Sequence, residues 1–243
     1  GVRKIEDKLQ LNKFIKEHKA IDNLVIQEFL EGPSYSLEVI GLNGRYRILQ
    51  VTELEMDEIY DCKRVLAPAK LSRDKVKEFE RISIKIAKRL NLTGIFDVEV
   101  ILNNGEMKAL EIDARLPSQT PTAVYNSTGI NLLECLWYIY SKNSKFNSFE
   151  INENRSTLYE HIKVKENVIE VCGEHIMGKV GHLKLYEDFF GADEAISNYA
   201  YDKEEWVATL IINGKDREEV WDKTCQVIDN IKNRNLEERR CIQ

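Results

Sequence analysis

No apolar run in the 243 residues approaches the roughly 18–20 that a membrane-spanning helix requires. The apolar stretches near the start are short and broken by charge, which argues against a signal peptide. No two cysteines stand in C-x-x-C spacing. Cys62, Cys135, Cys172, Cys225 and Cys241 are odd in number and scattered, the usage of a reducing cytoplasm with free thiols rather than of a disulfide framework or a zinc site. The four histidines also lack metal-ligand spacing, and there is no internal repeat or low-complexity segment. An excess of positive charge is missing too: the net charge of −6 speaks against nucleic acid or an anionic membrane as partner. The expected setting is cytoplasmic.

What remains is a globular composition, 43% apolar and 31% charged, in a chain long enough for one large or two small domains. It begins at Gly1 without a Met and enters a helix-like stretch over 6–18. The apolar positions Leu9, Leu11, Phe14 and Ile15 there need a partner surface, so the chain reads as the later part of a longer protein. Leu24-Val25-Ile26 reads as a brief strand, Glu31-Gly32-Pro33 as a turn. Strands 35–40 and 46–54 flank an Asn43-Gly44 hairpin turn. An acidic stretch, 53–61, follows. Ser72 is a helix N-cap, with Val76, Phe79, Ile82, Ile86 and Leu90 as the buried stripe. Strands 95–102 and 107–113 come next, then a loop with Pro117 and Pro121 and a helix over about 130–140. After the polar stretch 142–156 the pattern changes to strands 158–164 and 168–172, a loop-rich region over 178–200, a strand over 206–212 and a final helix using Val220, Trp221, Val227 and Ile231. The expected division is residues 1–150 and a smaller subdomain, 151–243. The expected fold class is α+β, a mostly antiparallel sheet with helices on one side.

The hairpin around Asn103-Asn104-Gly105 carries the chemistry. With a two-residue loop, Glu99 falls opposite Leu110 and Glu111 turns to the other face. With a three-residue loop and a glycine bulge, Glu99 faces Glu111. The second register is expected, because it gathers Val98, Val100, Leu110 and Ile112 on one face, where burial is worth ~1.5–3 kcal/mol each. Asp97, Glu99, Glu111 and Asp113 then share the other face. Opposed carboxylates destabilise a sheet unless a cation sits among them, and hard oxygen ligands suit Mg²⁺. A solvated acidic face is the plain alternative. Cys62 has no neighbour that would activate it, and His161 and His175 read as structural.

The run Glu99…Glu111-Ile112-Asp113-Ala114-Arg115 resembles the metal-binding strands of the ATP-grasp carboxylate–amine ligases, and Ile26-Gln27-Glu28-Phe29-Leu30-Glu31-Gly32 resembles their adenine-contacting hinge. Ser36–Gly41, Tyr60-Asp61-Cys62, Tyr159-Glu160-His161 and the block Glu111–Tyr125 are similar to the pyrrolysine-biosynthesis members of that superfamily. The resemblance implies the C-terminal lobe of an ATP-grasp fold. The implied enzyme activates the carboxylate of 3-methyl-D-ornithine, or D-ornithine, with ATP and joins it to the ε-amine of L-lysine. It implies Mg²⁺ on Glu99, Glu111 and Asp113, and adenine on Gln27, Glu28, Phe29 and Leu30. Arg115 would steady the acyl phosphate or oxyanion, and Ser118, Gln119 and Thr120 would seat an amino acid. Ser36, Glu38 and Asp61 are further substrate candidates. Where relatives carry an acid for the ribose, this sequence has Pro33 and Ser34. The family's phosphate-gripping Lys and glycine-rich flap are absent from these residues, so an upstream segment or chain is the expected partner. The alternatives are a D-alanine–D-alanine-like ligase, a carboxylase, or a binding lobe without turnover.

Overall fold

The computed structural model describes residues 2–18, 24–141, 155–166 and 168–241, with side chains up to 234. Among these residues ten antiparallel strands, numbered in chain order, form one sheet in the order β5-β4-β1-β2-β3-β6-β10-β9-β8, and β7 pairs with β6. The first hairpin joins β1 (Ser34–Leu42) to β2 (Arg45–Met56) through Asn43-Gly44, both at positive φ (51° and 75°) as a tight primed turn requires. β3 (Cys62–Ala67) continues the meander. Glu53 to Met56 therefore belong to β2, and the expected acidic stretch is strand and then the loop that leads into β3. The sequence hides this because charged partners sit on both strands: Glu55 and Glu160 pair with Arg64.

Helix α1 (Lys8–Glu17) buries no residue. Helix α2 (Arg73–Leu90) starts at Ser72, whose hydroxyl accepts from Lys75 N, and ends at Asn91 in the left-handed region. Val76, Phe79, Ile82 and Ile86 pack on β1 and β4, as the spacing predicts. Leu90 does not: it is exposed, because the left-handed cap redirects the chain and Leu92 takes the place against the sheet. β4 (Gly94–Asn103) and β5 (Glu106–Asp113) form the acidic hairpin.

The segment holding Pro121, expected as loop, is helix α3 (Thr120–Thr128). Pro121 stands in its first turn, where a missing N–H costs nothing, and Gly129 caps its end at φ 78°. Helix α4 spans Leu132–Tyr140. Residues 142–154, with the expected boundary near 150, lie outside the described set. β6 (Ser156–Lys165), β7 (Val168–Val171), a short 3-10 helix (Glu174–Lys179) and β10 (Glu205–Gly214) lead to helix α5 (Arg217–Cys241). The loop-rich region contains a hairpin, β8 (Lys184–Phe189) and β9 (Ala192–Ser197). β8 is a largely exposed edge strand, so its sequence carries no clear buried alternation.

The helices lie on both faces, not one. Val39 packs with the α2 cluster and its neighbour Ile40 with α4, and successive strand residues point to opposite faces. Likewise Leu210 and Ile212 meet α5, while Ile211 meets Ala123 of α3. The expected strand at 24–26 is absent: no ladder partner holds it, and Val25 is 86% exposed. No helix among the described residues is long and apolar enough to cross a membrane.

Candidate active site

The β4–β5 ladder places Glu99 opposite Glu111 and Asp97 opposite Asp113. The turn itself is the two-residue form, with Asn103 opposite Glu106 and Asn104 and Gly105 at positive φ (49° and 81°). The register is shifted by a bulge between Glu99 and Val100, which leaves Leu110 as the extra residue, 39% exposed. The pairing follows the expectation, but the bulge lies at Leu110 rather than in the turn, and Leu110 does not join the apolar face. Val98 and Val100 do, buried under α2 with Ile112 beside them.

The opposite face is anionic. β1 adds Ser36 across from Glu99 and Glu38 across from Asp97. The Ser36 hydroxyl donates to Glu38 Oε1 (3.2 Å) and Asp97 Oδ2 (3.1 Å), while Glu38 Oε2 and Asp97 Oδ1 are buried without a partner. Burial, reinforced by Glu111, Asp97 and Asp113, pushes Glu99 up to about 8. Burial raises Glu38 to about 8 against the opposing pull of the Thr120 hydroxyl, and raises Asp97 to about 6. Arg115 is mostly exposed and donates to Asp113 Oδ2 at 2.7 Å.

This face floors a cleft of about 1820 Å³. Gln27, Glu28, Phe29 and Leu30 line one wall; Glu99, Glu111, Asp113 and Arg115 line the floor; Ser118, Gln119 and Thr120 line the far end. Phe29 meets Tyr60 edge-on, and Lys4 lies 4.6 Å over its ring. Ser34, beside Pro33, also opens on the cleft. Ser36 and Glu38 lie behind the floor, fully buried.

Residues 1–119 match the family model of the ATP-grasp domain. The chain is 35% identical over 229 residues to the 3-methyl-D-ornithine–L-lysine ligase of Methanosarcina barkeri, across 91% of this chain and 60% of that protein. It is 36% identical over 222 residues to the same ligase of Methanosarcina mazei, across 90% of this chain and 55% of that protein. Residues 1–119 are an ATP-grasp domain. The chain spans 55–60% of the length of these two curated relatives. The crystal structure of an L-amino acid ligase from Bacillus licheniformis shares the fold, with a TM-score of 0.69 over 95% of this chain and 60% of that one, at 16% identity.

The ATP-grasp hairpin fits a hard divalent cation. Its donor set is all carboxylate oxygen, it is half open to the cleft, and burial together with the neighbouring like charges raises Glu99 to about 8, a strain that a cation among the carboxylates would relieve. Glu99, Glu111 and Asp113 are not gathered as tightly as ligands. Among the described residues, the trio with ligand atoms within 4.8 Å of one another is Asp57, Asp61 and His175. That trio is occupied by its own hydrogen bonds. Asp57 Oδ2 accepts from Gly173 N (2.9 Å), and Asp61 Oδ2 accepts from His175 N (2.8 Å) and meets His175 Nδ1 (2.6 Å). Asp61 thus clasps the start of the 3-10 helix.

Glu174, in that helix, is the site residue that sequence reading missed. Its Oε2 accepts from Ser118 Oγ and Gln119 Nε2, each at 3.0 Å. It follows β7 in no recurring pattern, and its partners stand 55 and 56 positions away, so no local signal marks it. His161 is buried against Thr209 (2.8 Å). Burial pushes the Cys62 thiol up to about 12, leaving it inert.

Proposed function

We propose that this protein is an ATP-dependent carboxylate–amine ligase. It joins 3-methyl-D-ornithine, or D-ornithine, to the ε-amine of L-lysine through an acyl phosphate, releasing ADP and phosphate. The observation that carries the reading is the juxtaposition within one cleft of the Gln27–Leu30 wall, the Glu99/Glu111 pair and the 118–120 loop. The identity to the two Methanosarcina ligases supports the choice of substrates.

In this reading Gln27, Glu28, Phe29 and Leu30 meet adenine through backbone groups. Glu99, Glu111 and Asp113 would hold Mg²⁺, which would supply charge neutralisation to the phosphates. Arg115 is on the cleft floor, tethered to Asp113, and from there offers a fixed positive charge to the oxyanion that forms as the amine attacks. Ser118, Gln119 and Thr120 seat an amino acid. Ser36 and Glu38 act from below: Ser36 ties Glu38 to Asp97 and so sets the strand face on which Glu99 stands. Asp61 positions the 3-10 helix at the far end. Holding both reactants in one cleft makes the amine's attack effectively unimolecular. The phosphate-gripping lysine and flap come from a segment or chain that joins the cleft. The two-part division at residue 150 and a cytoplasmic setting complete the proposal.

ADP release tests it. D-ornithine plus L-lysine should support release, whereas D-alanine alone or bicarbonate should not. Release with only the latter substrates would reject the assignment.

A further inference from the structure

The far end of the cleft holds an anionic feature separate from the carboxylate hairpin. Glu174 is aimed from two sides. From one, Ser118 Oγ and Gln119 Nε2 both donate to its Oε2 at 3.0 Å. From the other, its own backbone is pinned, because Gly173 N is bound to Asp57 and His175 N to Asp61. The fit at Gly173 is tight: a Cβ there would collide with the Asp61 carboxylate. Both hydrogen bonds to the Glu174 side chain fall on one oxygen.

Gln119 provides an independent sign of a ligand. It is 7% exposed and lines the cleft, and with its amide nitrogen engaged by Glu174 its Oε1 is buried without a partner. A buried acceptor left unpaired costs stability unless a donor reaches it. Once the Ser118 hydroxyl and the Gln119 amide nitrogen are engaged by Glu174, what these side chains leave open is a carboxylate and an amide oxygen, both acceptors, beside the unpartnered Thr120 hydroxyl. The simplest complement is a group with several N–H donors, a positive charge and no acceptor, which describes a primary ammonium.

The geometry points to Glu174 and Gln119 Oε1 as the subsite for the side-chain ammonium of a diamino-acid substrate, the one whose carboxylate is activated. This rests on the ligase reading for its orientation: the reacting carboxylate belongs beside Arg115 and the hairpin. The positive group farthest from that carboxylate is then the one that reaches the 174 recess. The subsite makes the cleft selective for diamino acids over their uncharged isosteres.

Calorimetric titration with D-ornithine and with D-norvaline, which lacks the side-chain ammonium, tests this in the presence of a chelator. The protein should bind D-ornithine at least tenfold more tightly. Glu174→Gln should weaken D-ornithine about tenfold or more and leave D-norvaline unchanged, because a charge-assisted contact is lost while shape is kept. Gln119→Met should weaken D-ornithine by a smaller factor, and it carries the same comparison if Glu174→Gln does not fold. Equal affinity for the two ligands, no binding of either, or an equal loss for both in the variants would overturn the subsite. ADP release separates the two readings. Turnover of D-ornithine and lysine with unaltered binding in Glu174→Gln removes the subsite and keeps the ligase. Ammonium-dependent binding without ADP release does the reverse.

Discussion

Glu111 is the residue on which the cation assignment turns. It is exposed on the cleft floor, faces Glu99, and contributes to the burial-driven rise of Glu99 to about 8. Glu111→Gln in the full-length protein removes one charge at nearly constant shape. We expect ADP release to fall by about 10²-fold or more, the scale of losing one electrostatic group at the reacting centre, with the circular dichroism spectrum retained. Unaltered turnover would reject Glu111 as a metal ligand. His161 makes a different residue-scale prediction. Burial holds its pKa down to about 4, against an ordinary 6.5. Between those values the unfolded chain binds the proton and the folded chain does not. Its stabilising effect is therefore complete above about pH 6.5 and is lost as the pH falls towards 4, by up to about 3 kcal/mol. Urea unfolding of the wild type and His161→Gln should show a gap that shrinks over this range. A gap independent of pH would contradict it.

At the scale of the element, the β4–β5 hairpin can be tested by counting residues. Leu110 is the bulged residue, so deleting it should restore an unbroken ladder from Asn103 to Asp97 with Glu99 still opposite Glu111. We expect that variant to fold with stability changed by about 1 kcal/mol, since little is buried at Leu110. Deleting Ile112 instead brings Asp113 opposite the fully buried Val98 and should prevent folding or abolish the site. The two deletions, compared by thermal unfolding, separate register from composition. The same hairpin shows what the sequence made legible. Alternating Val98, Glu99 and Val100 fixed which residues share a face, because burial of the aliphatics decides between registers one residue apart. It did not disclose where the compensating extra residue sits, since either a bulge in the turn or one at Leu110 satisfies that alternation. Pro121 misled for a related reason: in a first helical turn it is as acceptable as in a loop.

At the scale of the whole molecule, the two halves of the sheet are joined by one ladder, β3 against β6. Arg64 lies there between Glu55 and Glu160, with its guanidinium 4.7 Å from the ring of Trp221 on α5. Glu160 is 1% exposed, so removing its partner strands a buried carboxylate. Arg64→Met should lower stability by about 3–5 kcal/mol, and Arg64→Met with Glu160→Met by much less. Guanidinium unfolding of the two variants checks this; equal losses would remove the ion pair as the cause. Long-range joins of this kind are what sequence reading could not reach. The acidic hairpin was recognisable as a local string, but the approach of Glu174 to Ser118 and the clasp of Asp61 on His175 arise only when β6 and β7 fold back beside β3.

The bulge at Leu110 has a consequence for how this protein tolerates change in length. It stands between the hairpin tip and the carboxylate pair, and it sets the phase of everything on the cleft side. Residues beyond it can be gained or lost in matched pairs, one on each strand, while Glu99 and Glu111 keep facing one another. The tip is thereby free to drift in length and sequence by matched steps, while the carboxylate pair beneath it keeps its place.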